Sequence, residues 1–314
     1  MAGGRIRGMQ PQPAAAGQWA GDAGQGTRLV STLLGHAHVE MAVLCLGSLL
    51  KLSASPLRLR VHDDGSLTAA DLERLAAGLD GPEVVSRREA DARLADLLAA
   101  FPAARAFRAA NPLALKLLDV QLLAAGDELA FCDSDILFLR PFQRLFHLPP
   151  GAGALFMFDP KESYSVRSWH LLAEPRLRLV GNINTGIIAF RRHLFDLDLV
   201  EWFLSRPRYH FAPVWVEQTC WALLGQPFGC HLLDPEEVGI PVPGREPPVR
   251  QVALHFVSPL RGLLAQVAGR YGERTMPREP IELQSFPAPR LTAAALATAE
   301  IRRRLRRLRR PART

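Results

Sequence analysis

The sequence predicts an α/β chain with a mostly parallel central sheet flanked by helices, and three observations carry that expectation. From Arg28 to Cys132, short apolar runs of strand composition alternate with longer stretches of helical periodicity. The run from Glu128 to Cys132 then ends on Asp133-Ser134-Asp135, and open α/β sheets gather their ligands at the carboxyl ends of strands. With 314 residues, 48% of them hydrophobic, the chain is long and apolar enough for one large core or two small ones.

Taken in order, Arg28 to Leu33 reads as the first strand and Glu40 to Leu52 as a helix. Leu57 to Val61 reads as the second strand, ending at His62-Asp63-Asp64-Gly65. Thr68-Ala69-Ala70-Asp71 has the form of a capping box with Asp in the usual Glu position, opening a helix through Leu79. Pro82 to Val85 is a third strand, and helices are expected over Arg88 to Ala100 and Pro112 to Ala125. Further strands are expected at Ala154 to Phe158, Gly186 to Arg191 and Val252 to Phe256, with helices at Leu197 to Leu204 and Val216 to Leu224. Gly239 to Pro248 is a Pro/Gly-rich loop, and Ser285 to Pro289 marks the expected end of the globular body.

Three segments follow: a flexible leader over residues 1–26, a globular domain over 27–289 and a basic tail over 290–314. The leader is rich in Gly, Ala, Gln and Pro and lacks the apolar stretch of a signal peptide. No apolar run reaches the roughly 18–20 residues that span a bilayer. Cys45, Cys132, Cys220 and Cys230 lack the paired spacing of zinc or redox motifs and read as reduced, partly buried thiols of a cytoplasmic protein.

Charge is concentrated at one end. Residues 302–313 carry eight arginines, more than the whole net charge of +7, so the remainder is close to neutral and is no platform for nucleic acid. Ala293 to Arg310 reads as a helix with Ile301, Leu305 and Leu308 on one side among arginines, a pattern suited to an anionic membrane surface. A solvated tail and a nucleic-acid contact are the competing readings.

Asp133 and Asp135 interrupt the apolar run Phe131 to Phe138, and burying them unpaired would cost several kcal/mol or force protonation. Two readings stand: a polar turn whose carboxylates accept backbone N–H bonds, or a cation site shared with a substrate phosphate. His255, in an apolar strand, is by default a satisfied core histidine. Lys116 sits among leucines, where a lysine either snorkels or answers an anion. Asp63 and Asp64 suit a tight turn as well as a nucleoside contact.

Four motifs in a particular order resemble the GT-A nucleotide-sugar glycosyltransferases, especially the retaining family 8 type, over roughly Arg28 to Arg261. Asp133-Ser134-Asp135 is similar to the family's DxD, and Asn184-Thr185-Gly186 to its N-x-G segment. Glu217-Gln218 is similar to its acidic-Gln pair, and His255-Phe256-Val257-Ser258-Pro259-Leu260-Arg261 to its final His-Phe-x-Gly-x-x-Lys. The resemblance implies a GT-A, Rossmann-like fold and a metal-dependent transferase. It would move a hexose, with UDP-sugars favoured, to a glycan or lipid-linked acceptor with retention.

In that reading Asp133, Asp135 and His255 hold the metal. Manganese is favoured over Mg²⁺ because imidazole is the poorer ligand for the harder ion. Lys116, Ser134, Arg261 and the Asp63-Asp64 turn face the donor nucleotide and diphosphate, and Asn184, Glu217 and Gln218 face the reacting sugar. Lys161 to Arg178 is the positional candidate for an acceptor loop. The chain departs from the family at Arg261 (for Lys), Ser258 (for Gly) and Glu217 (for Asp), and Ser31 to His36 replaces the family's acidic and tyrosine opening. These departures keep a second function in view, a catalytically silent nucleotide-sugar or glycan binding module. A two-metal phosphohydrolase lacks the second acidic cluster it needs.

Overall fold

A computed structural model describes residues 26–272 and 279–308, so the expected leader up to residue 25 and the arginines past Leu308 lie outside the described residues. The first half carries strands β1 (Arg28–Leu34), β2 (Leu57–Asp63), β3 (Glu83–Val85), β4 (Glu128–Cys132), β5 (Ile136–Phe138) and β6 (Phe142–Gln143). The second half adds β7 (Ala154–Phe158), β8 (Ile183–Arg191), β9 (Cys230–Leu233), β10 (Val238–Gly239), β11 (Ala253–His255), β12 (Ile281–Glu282) and β13 (Ser285–Pro287).

The main sheet runs β13-β9-β7-β8-β4-β1-β2-β3. Its β4-β1-β2-β3 half is parallel throughout, and β7 and β9 are parallel to each other. Only β8 and β13 run against their neighbours. A mixed, mostly parallel sheet flanked by helices is thus what the alternating pattern specified. A second, small sheet pairs β5 with β11 and β11 with β10.

The helices are α1 (Val39–Leu52), α2 (Ala69–Gly78), α3 (Arg87–Ala99), α4 (Pro102–Ala110), α5 (Leu113–Leu117) and α6 (Asp119–Leu122), then α7 (Ser168–Ala173), α8 (Leu197–Leu204), α9 (Val216–Gly225), α10 (Leu264–Gly272) and α11 (Ala293–Leu308). In α1 the buried side chains Val39, Ala42, Cys45, Leu46 and Leu49 recur at three and four residues and form one stripe against the sheet. The capping box of α2 is complete: Thr68 Oγ1 accepts from Asp71 N at 3.2 Å and Asp71 Oδ2 accepts from Thr68 N at 2.8 Å. Strand alternation splits the core into two layers. Phe131 of β4 packs with Phe156, Ile188 and Trp221 on one face, and Ala130 and Cys132 pack with Leu46, Leu155 and Ile187 on the other.

Two expectations needed correction. The single helix expected from Pro112 to Ala125 is two short ones, α5 and α6, and α4 before them was not anticipated. Buried Arg108 of α4 holds Asp119 of α6 through both carboxylate oxygens, Nε–Oδ1 and the second guanidinium contact each at 2.6 Å, which pins α6 to α4. Ser285 to Pro289 does not end the body. It supplies β13, an edge strand on β9 where a proline is tolerated, and Leu291 and Leu296 beyond it are buried in the main core.

Candidate metal and donor site

The Asp133-Ser134-Asp135 segment leaves the carboxyl end of β4 and is tied at both ends. Asp133 N donates to Gly186 O of β8 at 2.7 Å, and Asp135 O accepts from Phe256 N at 2.9 Å. Antiparallel pairing sets His255 opposite Ile136, which carries a residue more than a hundred positions distant to the same spot. Asp133, Asp135 and His255 each offer one ligand atom, and those atoms lie within 4.8 Å of one another. His255 Nε2 is 3.1 Å from Asp135 Oδ1 and 3.7 Å from Asp133 Oδ2.

The other side of the His255 ring decides what this arrangement needs. Nδ1 lies 3.0 Å from Asn184 Oδ1, and that oxygen also accepts from Gly186 N at 2.8 Å. Because Asn184 presents an acceptor, Nδ1 carries the proton and donates. Nε2 is then aimed at two carboxylates. A lone pair facing carboxylate oxygens requires a proton or a metal ion between them, and an O, O, N donor set with the distal nitrogen fixed by an amide oxygen suits Mn²⁺. The residues present therefore fit the metal that the motif implies.

Two fixed cations complete the charge balance. Lys116 Nζ of α5 lies 3.0 Å from each Asp133 oxygen and 4.6 Å from the centre of the Phe131 ring. Arg261 reaches Asp135 Oδ2 with Nε at 3.0 Å and with a terminal nitrogen at 2.8 Å, and its other nitrogen lies 2.9 Å from His38 Nε2. Both cations stand at the carboxylates themselves in this structure. Burial raises the Asp133 carboxyl even against Lys116. For Asp135 burial also pushes upward, but His255 and Arg261 outweigh it and hold the carboxyl well below the usual range.

Glu217 and Gln218 open α9 beside β8. Glu217 Oε2 accepts from Thr185 Oγ1 at 3.1 Å, while its Oε1 is buried without a hydrogen-bond partner. Burial pushes this carboxyl up to about 7, with Lys116 opposing. Gln218 Nε2 donates to Ser163 O at 2.7 Å. Ser134 is buried between the two aspartates.

Asp63 and Asp64 lie at the carboxyl end of β2, on the same edge of the sheet. Asp63 Oδ1 accepts from Gly65 N at 2.8 Å and Asp64 Oδ1 from Ser66 N at 2.9 Å, so the turn chemistry accounts for one oxygen of each. Asp64 also presses on Gly35 at the end of β1, where a Cβ would stand 2.2 Å from Oδ2.

Three contributors escaped the sequence reading. Thr185 and Gly186 were named only as parts of the N-x-G segment, with no role of their own, and His38 lies just beyond the Ser31 to His36 segment and was not singled out. The pair of histidines at 36 and 38 just after the first strand was the available signal for His38. The four cysteines are free and buried, and burial raises each thiol, which leaves them unreactive.

No protein-family model and no curated protein sequence matches the chain. Solved structures do. Mouse xyloside xylosyltransferase 1 in its apo form is similar over 74% of this chain and 99% of its own, at 17% identity and a TM-score of 0.53. A glutamine-to-glutamate active-site mutant of LgtC is similar over 80% of this chain and 98% of its own, at 14% identity and a TM-score of 0.52. At these identities the likeness establishes the fold: this chain has the GT-A glycosyltransferase architecture.

Proposed function

We propose that the protein is a metal-dependent glycosyltransferase that moves a hexose from a nucleotide diphosphate sugar, UDP-sugars favoured, to a glycan or lipid-linked acceptor. The observation that carries this reading is the convergence of Asp133, Asp135 and the Asn184-oriented His255 on one point at the carboxyl edge of a GT-A sheet. These three side chains would hold Mn²⁺, or Mg²⁺ less well. When bound, the ion supplies Lewis-acid stabilisation of the charge that develops on the leaving diphosphate.

The chain's own residues do the rest. Lys116 and Arg261 place two positive charges where the diphosphate would lie, and in a site shielded from water such preset charges stabilise a leaving anion without reorganising. Ser134 and the Asp63-Asp64 turn border the donor, and the second oxygen of either aspartate remains for a ribose or base contact. Asn184 holds the His255 tautomer. Gln218 and Glu217 face the sugar, and Glu217, whose carboxyl burial pushes up to about 7, is protonated in a large fraction near neutrality and in that form donates a hydrogen bond. With no separate nucleophile assigned, retention proceeds by front-face attack, the leaving phosphate taking the acceptor's proton.

The competing reading is a silent nucleotide-sugar or glycan binding module, and one observation favours it: both aspartates already have cationic partners within the chain. Thermal melts with UDP, GDP, ADP and dTDP sugars, with and without Mn²⁺, separate the possibilities together with a turnover assay. A Mn²⁺-dependent shift by a nucleotide sugar plus turnover abolished in Asp135→Ala supports the enzyme. A shift without turnover supports the binding module, and no shift with any nucleotide removes both.

We also place the working site of the enzyme at the cytoplasmic face of an anionic membrane. Ile301 and Leu305 on α11 are 58% and 50% exposed, and Trp169 and Leu172 on the adjoining α7 are 52% and 78% exposed. Apolar side chains flanked by arginines suit a lipid interface. No helix among the described residues is long and apolar enough to cross a membrane.

A further inference from the structure

His38 closes the short turn His36–His38 that joins β1 to α1, and the turn is fixed on several sides. His36 N donates to Ser66 Oγ at 2.8 Å, and His36 Nδ1 lies 2.8 Å from Asp71 Oδ2. The two histidines therefore part, His36 to the capping box of α2 and His38 to Arg261. His38 N donates to Gly35 O at 3.0 Å, and the Asp64 side chain leaves no room for a Cβ at Gly35.

The helix that His38 caps is braced against the strand that follows Asp135, because Phe138 N donates to Ser48 Oγ at 2.9 Å. The segment that carries Arg261 rests on the same helix. Phe256 and Leu264, on either side of it, pack with Cys45 of α1 and Leu137 of β5 in a small apolar cluster, with Met41 and Leu263 at its edge. His38, Asp135 and Arg261 come from three distant stretches of chain that share this support.

A guanidinium only donates. Its contact with His38 Nε2 at 2.9 Å therefore needs a lone pair on that nitrogen, so the His38 ring is neutral with its hydrogen on Nδ1. Nε and one terminal nitrogen of Arg261 meet Asp135 Oδ2 at 3.0 and 2.8 Å, while Asp135 Oδ1 faces His255 Nε2 at 3.1 Å. Three of the five guanidinium N–H groups are committed in this way, and two remain. A lysine, a point charge on one nitrogen, would not span Asp135 and His38 as the planar fork does.

We propose that His38 is a positioning residue for the donor diphosphate: it holds the Arg261 guanidinium so that its two remaining N–H groups serve phosphate oxygens. The arginine in place of the motif lysine and the histidine after the first strand are then one feature of this chain rather than two unrelated departures. The phosphate role rests on the donor-site reading above. The coupling between His38 and Arg261 does not.

Two measurements on the full chain test this, each with His38→Ala made in the wild type and in Arg261→Lys, which keeps the charge and so keeps UDP binding measurable. In urea denaturation of the metal-free protein, His38→Ala should lower the midpoint of the wild type and leave that of Arg261→Lys in place, a coupling read without any ligand. In calorimetric titrations with UDP and Mn²⁺, His38→Ala should weaken binding about tenfold, the size of one hydrogen bond to a charged group, and add nothing in Arg261→Lys. His38→Gln, whose Oε1 replaces Nε2 as the acceptor, should keep most of the wild-type affinity, a rescue that a lost packing contact would not show. Wild-type UDP affinity in His38→Ala, an equal loss in both backgrounds, or no coupling in urea overturns the proposal. A wild type that fails to bind UDP while the urea coupling is intact refutes the donor reading, and with it the phosphate role, and leaves the contact standing.

Discussion

Gly186 packs its bare Cα against the His255 ring: a Cβ there would stand 2.5 Å from Nδ1 and 2.7 Å from Cε1. The same Cβ would lie 2.9 Å from Asn184 Oδ1, the atom that holds Nδ1. The glycine of the N-x-G segment is therefore part of the seat of the histidine.

Gly186→Ala should push the imidazole off Asn184 and away from the two aspartates. Overpacking of this kind costs about 1–3 kcal/mol, read as a lower urea midpoint with an unchanged slope. Loss of an orienting partner typically costs 10–100-fold in metal affinity. A calorimetric titration with Mn²⁺ that finds wild-type affinity in Gly186→Ala would show that His255 is not a ligand.

Lys116 and Asp133 make a second testable pair. Lys116 is 3% exposed at its side chain and Asp133 is 26% exposed. Lys116→Met leaves a mostly buried carboxylate without its cation, a change expected to cost about 3 kcal/mol. The double variant Lys116→Met/Asp133→Asn removes both charges and should recover most of that loss. A double-mutant cycle by chemical denaturation measures the coupling, and additive effects would mean that the pair contributes nothing.

Glu217 ties stability to pH. Its carboxyl stands at about 7 in the folded chain, against about 4.3 for a free glutamate side chain. Between these values the unfolded chain has released a proton that the folded chain keeps, so stability falls as pH rises through the window. The full cost, roughly 4 kcal/mol, is in place above pH 7 and absent below pH 4. Glu217→Gln removes the ionisation. In melts of the metal-free protein, the variant should gain on the wild type from pH 4.5 to pH 7 and then hold a constant lead. A lead that does not change with pH would place the Glu217 carboxyl at its ordinary value.

Much of this was legible in the chain because the signals were local or periodic. The capping box at Thr68 and Asp71, the apolar stripe of α1 and the strand ending on Asp133 each reside within a few residues. The pairing of His255 with Asp135 could not be read from spacing, since β11 reaches β5 only through the tertiary register, and a likeness of motifs stood in for it. What stayed hidden depends on shape. The break between α5 and α6 goes with the long-range Arg108–Asp119 contact, and β13 looked like a terminus because Pro287 and Pro289 are turn residues everywhere except at a sheet edge. The destination of Arg261 was similarly opaque. The motif implied a diphosphate contact but gave no sign that, in the folded chain, the guanidinium also reaches Asp135 and His38.

The exposed apolar side chains of α7 and α11 lead to a membrane prediction. Ser168 N donates to Glu300 Oε1 at 3.2 Å, which ties the start of α7 to α11, and Trp169, Leu172 and Ile301 are exposed on these two helices. If this face meets lipid, Ile301→Asp/Leu172→Asp should reduce cosedimentation with vesicles containing phosphatidylglycerol, since each change places an anion where apolar surface enters the interface. Neither residue belongs to the proposed metal and donor site, so UDP affinity should stay at the wild-type level. Raising salt should weaken wild-type binding through the screened arginines but leave an apolar remainder that the double variant lacks. Equal vesicle binding by variant and wild type at every salt concentration would remove this face from membrane contact.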